Sequence, residues 1–218
     1  MFKEFAGEMV EPLNITKWNP ISVQTMDYMF ESANITGKIT INNWNLSNLK
    51  SSGNSFMSYC NASEVEMDGI RMNPEIASSR VFDFKFMKKL SSLKFTNVTL
   101  NLDLDSDFLY DNPALVVVDI RGTKTQDNIL TNIAEGTFGV IKVDDTYNES
   151  VHVHNGWLLM KGTYIDYSNV ILNQAKVINV INQLEEKSNA TIKLGNNIYL
   201  LTPEQIQGAV SKGWSVIQ

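Results

Sequence analysis

The two histidines of the chain, His152 and His154, lie two residues apart. If this stretch is a β-strand, both imidazoles point to the same side, because side chains alternate between the two faces of a strand. Two imidazoles could begin a zinc site, but zinc needs at least a third protein ligand. No neighbouring acid or thiol supplies one. Solvated surface histidines are the favoured interpretation, and we expect neither a metal site nor a cofactor.

Asp103, Asp105 and Asp107 alternate with leucines, which is typical of a strand with an acidic outer face. The spacing also resembles the start of a calcium-binding EF-hand loop. That loop needs Gly at its sixth position and Glu at its twelfth, where this chain has Phe108 and Ala114. A solvated acidic stripe is therefore favoured over a calcium site.

Nucleophilic catalysis finds little support in the sequence. Cys60 is the single cysteine and has no histidine within ninety residues, so we interpret it as a buried structural thiol. The glycine-rich nucleotide-binding motifs, the zinc-protease motif and the nucleophile elbow are all missing. We predict no catalytic residues and expect that the chain is not an enzyme, although a site assembled from distant residues is kept as an alternative.

Composition narrows the remaining classes. The chain has 218 residues, of which 43% are hydrophobic, enough for one domain or one short repeat array. No stretch approaches the roughly 18 consecutive apolar residues of a membrane span, so we expect no membrane insertion. The net charge of -6 argues against nucleic acid as a partner. The first nine residues lack the basic and apolar regions of a secretory signal, and none is predicted.

A constant offset relates several segments of the chain. The step from Ile15 to Ile41 equals the step from Trp18 to Trp44, and the same step leads from Phe30 to the next phenylalanine. Internal repeats of this length, about 26 residues, indicate units that stack on one another. The predicted repeat anchors are Ile15, Trp18, Phe30, Ile41, Trp44, Phe56, Met67, Phe82, Leu93 and Phe108.

Each unit is interpreted as a short strand, a turn rich in Asn, Gly and Ser, and an apolar return segment that ends near the phenylalanine. Such a unit cannot bury its apolar face alone, so the units are expected to stack into a solenoid. Its strands would form a parallel sheet on one side, with the Phe, Met and Trp anchors in the core. The 24 asparagines suit tight corners, although a compositional bias of the source explains them equally well.

Residues 14–33 follow the pattern I-x-x-W, a short gap, then V-x-x-M-x-x-M-F. This pattern resembles the BspA-like leucine-rich repeat of surface proteins. The second unit keeps Ile41, Trp44 and Phe56 but has Ser52 and Ser55 in place of the two methionines. The motif covers about the first quarter of the chain. The resemblance implies an α/β repeat fold, a leucine-rich-repeat-like solenoid with irregular repeats of about 26 residues.

The C-terminal segment is predicted to be a helical cap. A helical pattern at 177–184 and a short strand at 191–194 precede L-T-P-E-Q-I at 201–206 and K-G-W at 212–214. This order resembles the closing segment of leucine-rich-repeat proteins of phage tails. From the residues alone we expect a helix near 203–212, with Ile206, Ala209 and Val210 facing the last unit. The predicted cap residues are Thr202, Gln205, Gly213 and Trp214.

Three parts of one continuous domain are expected: residues 1–12, the repeats at 13–170 and the C-terminal repeat and cap at 171–218. Phe2, Phe5 and Met9 would share one face of a short N-terminal helix. That segment is either an N-terminal cap or an arm that docks into another subunit.

These observations lead to a functional hypothesis. The resemblances imply a non-enzymatic structural or adhesive protein, and the lack of a signal favours a phage virion component of the tail or fibre. Its partners would be other virion subunits, a host glycan or surface protein, or further copies of itself in a homo-oligomer. The alternatives are a bacterial cell-surface adhesin and an intracellular protein-binding scaffold.

Overall fold

Short strands joined by turns make up most of the computed structural model, which describes residues 2–4, 7–50, 55–73, 82–98, 109–123, 139–144 and 157–218. Within these ranges no helix is long and apolar enough to span a bilayer. The strands are β1 Leu13–Asn14, β2 Lys38–Asn42, β3 Asn45–Leu46, β4 Glu64–Asp68, β5 Arg71–Met72, β6 Ser92–Thr96, β7 Val117–Asp119, β8 Val140–Val143, β9 Leu158–Lys161, β10 Tyr164–Asp166, β11 Ala190–Lys193 and β12 Trp214–Ile217. The helices are α1 Gln174–Gln183, a 3-10 helix Gly195–Leu200 and α2 Pro203–Ser211.

Seven strands form the main sheet, in the order β1-β2-β4-β6-β7-β8-β9. Each neighbouring pair is parallel. A second parallel sheet contains β10, β11 and β12, and β3 pairs with β5 in a two-stranded ladder. The expected α/β fold with a parallel sheet is thus confirmed.

Strand register follows the predicted repeat at first and then departs from it. Ile39 on β2 faces Leu13 on β1 and Val65 on β4, so the first two steps along the sheet are equal. The next step is longer, because Met67 faces Phe95 and Val65 faces Leu93. The prediction that Leu93 continues the column of Met67 is therefore wrong. The connection from β4 to β6 is two residues longer than the connection from β2 to β4. Leu93 therefore pairs with Val65, the core-facing residue before Met67 on β4.

A column of phenylalanine rings fills the core behind the main sheet. Phe30, Phe56 and Phe82 pack edge to face, with ring centroids 5.5 and 5.3 Å apart. Phe2 stacks on the first ring at 5.1 Å and extends the column by one member. Phe108 lies outside the described residues. The other repeat anchors that are buried here are Ile15, Ile41, Trp44, Met67 and Leu93.

Tight corners follow four strands of the main sheet. Asn43, Gly69, Asn97 and Gly122 adopt left-handed backbone angles, with φ between 52° and 68°. Each of the first three donates its backbone N–H to a carbonyl near the end of the next strand, for example Asn43 to Asp68 at 2.8 Å. Asn tolerates this conformation better than most side chains. The corners therefore account for some of the asparagine surplus.

The N-terminal segment is not the predicted short helix. Residues 2–4 and 7–12 contain turns, and Met9 forms a parallel bridge with Ile35. Phe5 lies outside the described residues. Met9 and Ile35 are as far apart in the sequence as the paired residues Leu13 and Ile39, so strand-like pairing takes the place of the expected helix.

Residues 164–218, which we call the C-terminal unit, form a β-α-β-α-β arrangement. One face of its sheet buries Ile165, Ile192 and Trp214. Thr202 and Gln205 form a reciprocal capping box at the start of α2. Gly213 takes φ +85° directly after the helix. The expectation that Val210 faces the core is wrong, because its side chain is exposed.

Candidate binding surface

A row of alternating charges crosses one face of the main sheet. The register aligns Glu66 on β4 with Lys94 on β6, Asp119 on β7 and Lys142 on β8. Because side chains alternate along each strand, these four point away from the phenylalanine core. We call this side the outer face. Opposite charges on neighbouring strands attract across the sheet, so the row holds long polar side chains at fixed positions.

Glu66 is the centre of the exposed part of this row. Its carboxylate accepts hydrogen bonds from Lys38 at 2.5 Å, from Lys94 at 3.2 Å and from the Asn42 amide at 3.2 Å. The hydrogen bond from Lys38, helped by Asn42 and Lys94, outweighs burial and lowers the pKa of Glu66 to about 2. Glu66 therefore stays ionised, with a cation on each side.

The outer face is apolar and buried at the end of the sheet formed by β8 and β9. There, Val140, Leu158 and Met160 occupy the outward positions and are buried in one apolar cluster with the C-terminal unit. The Tyr167 hydroxyl, from that unit, donates to the Leu159 carbonyl at 2.7 Å. The C-terminal unit thus covers the outer face at β8 and β9. Within the described ranges, neither of its α-helices packs extensively on β2, β4 or β6.

A charged cluster marks the boundary between the covered and open parts of the outer face. Arg121 donates to both carboxylate oxygens of Asp119, at 2.9 and 2.6 Å, and to both of Glu185, at 2.7 and 2.8 Å. Lys142 adds a hydrogen bond to Glu185 at 3.2 Å. Burial raises the pKa of Glu185, but the hydrogen bond from Arg121 and the charge of Lys142 outweigh it and lower the pKa to about 2.

This cluster joins the main sheet to the C-terminal unit. Glu185 follows α1, whereas its two cationic partners belong to β8 and the corner after β7. A cavity of about 150 Å³ lies beside it, lined in part by Lys161, Lys187 and Trp214. The guanidinium of Arg121 is already engaged by two carboxylates, so the arrangement suits attachment between elements better than capture of a ligand.

A second concave feature lies next to the first strand and is called the Trp18 groove. Its volume is about 430 Å³. Trp18 is 41% exposed there, although the sequence predicted it as a core anchor. That prediction is wrong, because Trp18 lies beside the edge strand β1 and stays partly exposed, whereas Trp44 stacks on it and is buried. The groove is lined by Trp18, Asn19, Pro20, Val23, Thr25, Met26, Asp27, Met29 and Trp44.

Of the residues singled out for chemistry, Cys60 is the one that lies in the described part of the chain. Burial raises the pKa of the Cys60 thiol to about 11, which fits the structural role expected of it. His152, His154, Asp103, Asp105 and Asp107 lie outside the described residues. Among the residues that are described, no group of three His, Cys, Asp or Glu side chains could hold a metal ion.

The sequence patterns did not single out several residues of these surfaces. The acidic positions Glu64, Glu66 and Asp68 alternate with apolar residues and are readable as an outer strand face. No comparable signal links Arg121 to Glu185, because the two lie 64 residues apart. Relatives offer no further guide to the site. No protein-family model, no curated protein and no solved structure matches the chain.

Proposed function

We propose that the chain is a leucine-rich-repeat-like solenoid and acts as a non-enzymatic binding protein through its outer face. One observation carries this proposal: at β2, β4 and β6 the parallel sheet leaves one face largely uncovered by the described helices and lines it with ion-paired side chains. Parallel sheets usually have helices on both faces. Repeat proteins are an exception, since their stacked units form extended binding surfaces.

The spacing of the strands supports stacked units. Along the first five strands of the main sheet, equivalent residues follow one another at nearly constant steps in the sequence, as they do in consecutive similar units. The equivalent residues are Leu13, Ile39, Val65, Leu93 and Val118.

Two buried asparagines, Asn112 and Asn197, also join successive turns. The Asn112 amide donates to the carbonyls of Phe84 and Leu109 at 2.9 Å and accepts from the Met87 N–H at 2.8 Å. Asn197 makes the same kinds of bonds in the C-terminal unit. A side chain that bonds to the backbone of the preceding turn links the two turns, as stacking of repeat units requires.

The biological setting of this proposal is a phage particle, as the resemblance of the C-terminal segment implies. The protein would belong to a tail or fibre and would contact a host surface molecule or other virion subunits. The ion pairs of Glu66 with Lys38 and Lys94 support recognition of a polar partner, because these side chains are held in place before binding.

Charge reversal on the outer face tests the proposal. The variant Lys38→Glu/Lys94→Glu removes both cations that flank Glu66 and reverses the local charge. The full-length chain, labelled with a fluorophore, is mixed with intact cells from a panel of Gram-positive and Gram-negative bacteria. We expect binding to at least one species and a loss of at least tenfold in the double variant.

The control variant is Lys50→Glu/Lys89→Glu, which makes the same change of net charge at exposed positions outside the main sheet. It is expected to bind as the wild type does. Thermal melts establish that each variant is folded. The proposal is contradicted if the wild-type chain binds no cells, or if both double variants bind equally well.

A further inference from the structure

The Trp18 groove has the features of a ligand site distinct from the outer face. We propose that it binds one neutral sugar ring of a surface glycan. This inference deepens the proposed binding function and rests on it. Three properties of the groove carry it: an exposed indole ring held in place, a polar rim and the absence of cationic side chains among its lining residues.

The indole ring of Trp18 provides a rigid aromatic wall. It lies nearly parallel to Phe2, at 6.1 Å between ring centroids and 17°, and to Trp44, at 6.4 Å and 7°. The two stacked rings do not cover the indole completely, since Trp18 remains 41% exposed. One face of a sugar ring consists largely of C–H groups, which pack favourably on an electron-rich indole face.

Polar residues also line the groove. They are Asn19, Asp27 and Thr25, whose hydroxyl accepts the Asp27 N–H at 3.3 Å and keeps its own proton to donate. The Trp44 indole N–H is bonded to the Ile15 carbonyl at 3.0 Å, whereas that of Trp18 has no hydrogen-bond partner among the described residues. Sugar hydroxyls both donate and accept, so they match a rim that contains both kinds of group.

Size and charge restrict the ligand further. A volume of about 430 Å³ falls in the lower part of the range for small-molecule sites and suits one or two sugar rings. None of the lining residues is Lys or Arg, and the one ionisable side chain is Asp27. The lining residues therefore provide no cation for a phosphate or carboxylate group. The groove therefore favours a neutral hexose over an acidic sugar.

A glycan array probed with the full-length chain, followed by titration of the best monosaccharide, tests this inference. Trp18 is the exposed tryptophan, since Trp44, Trp157 and Trp214 are at most 6% exposed, so binding is expected to change the tryptophan fluorescence. Trp18→Ala should weaken binding at least tenfold. Asn19→Arg fills the groove and keeps every ring, so it should do the same even if loss of the indole disturbs folding.

The matched control is Tyr199→Ala, which removes an aromatic side chain that is 74% exposed and belongs to the C-terminal unit. It should bind sugar as the wild type does. The inference is overturned if no neutral sugar binds at about 10 mM, or if Asn19→Arg binds as well as the wild type. Cell binding that persists in Asn19→Arg but fails in Lys38→Glu/Lys94→Glu would overturn the groove and leave the proposed function standing.

Discussion

The main sheet and the C-terminal unit place parallel strands at similar spacing but connect them differently. In the main sheet Leu13 faces Ile39, and the connection between β1 and β2 is made of turns and bends. In the C-terminal unit Ile192 faces both Ile165 and Val216 at nearly the same spacing, and helices make the connections. Similar spacing between strands therefore does not determine whether turns or helices connect them. The apolar and capping residues within each connection determine its structure.

The two regions also satisfy their chain reversals by different means. The main sheet depends on left-handed residues both at its corners and in the segments that lead back to the next strand, where the bulky Tyr59 and Phe86 have an unfavourable φ near 60°. Their rings stack at 4.7 Å and partly offset that cost. The C-terminal unit also has left-handed residues, such as Asn189 and Gly213, but adds helix caps at Asn173 and Thr202. Packed phenylalanine rings thus distinguish the first region, and capped helices packed on an apolar cluster distinguish the second.

Removal of one ring from the phenylalanine column should have the largest effect and should be confined to the main sheet. Phe56 is fully buried between two other phenylalanines, so Phe56→Ala leaves a cavity and should lower the free energy of unfolding by about 3–5 kcal/mol. Hydrogen exchange should rise in residues 13–98 more than in 164–218. Phe56→Leu, which keeps most of the volume, should cost clearly less. Equal losses in the two regions would contradict their separate sources of stability.

A substitution at Gly213 should act on the C-terminal unit alone. Its φ of +85° is unfavourable for Ala, and a Cβ there would overlap the backbone carbonyl of Lys187. Gly213→Ala should therefore cost about 3 kcal/mol, measured by urea unfolding. Gly162 has φ +64° and open space around it, so Gly162→Ala should cost only about 1–2 kcal/mol. Equal costs would mean that the overlap is relieved without strain.

Loss of Arg121 should uncouple the two regions. Arg121→Gln leaves the Asp119 carboxylate, whose side chain is 8% exposed, without its cation and should cost about 2 kcal/mol. We expect the unfolding curve to broaden or split as the C-terminal unit separates from the main sheet. Lys88→Gln is the control, because the ion pair between Lys88 and Asp111 is exposed and should contribute little. A single sharp transition in Arg121→Gln would show that apolar contacts alone couple the regions.

Acid should weaken each region through a different carboxylate. The pKa values of Glu66 and Glu185 are lowered from 4.5 to about 2 in the folded chain. A lowered pKa stabilises the fold above pH 4.5, and this contribution is lost as the pH falls from 4.5 towards 2. The melting temperature should fall over that window. Glu66→Gln and Glu185→Gln should each make the fall shallower, and a fall unchanged in both variants would assign it to other groups.

The smallest effect is expected at the capping box of α2. Thr202→Ala removes the hydroxyl that accepts the Gln205 N–H at 3.3 Å, which should cost about 1 kcal/mol. Thr202→Ser keeps the hydroxyl and should match the wild type in a thermal melt. If Thr202→Ala melts like Thr202→Ser, the caps are not what distinguishes the C-terminal unit from the main sheet.

Local patterns in the sequence predict the local features of both regions well. The β-branched runs predict parallel strands, and Thr202, Pro203 and Gln205 predict the start of α2. The predictions that fail concern features that depend on residues close in space but distant in the sequence. A fixed period misplaces Leu93, because connection lengths vary without any local mark. The exposure of Trp18 follows from the position of its unit at the end of the sheet, which the repeat pattern does not contain.

The candidate site was less predictable than the fold for the same reason. The alternation of acids in β4 is visible in the sequence, but the cations that fix Glu66 come from the strands on either side, each more than a full repeat away along the chain. The ion pair between Arg121 and Glu185 depends on the packing of the C-terminal unit over β8 and β9. No periodicity in the chain encodes that return.

The equal steps from β1 to β2 and from β2 to β4 also bear on how such a gene can change its length. Leu13, Ile39 and Val65 occupy equivalent places in consecutive strands. Unequal recombination between the codons of Leu13 and Ile39, or of Ile39 and Val65, would delete or duplicate one strand with its connection. The chain would be rejoined at matching positions. The reading frame, the strand register and the two faces of the sheet would all be preserved. Such an exchange would change the number of strands without a redesign of the core.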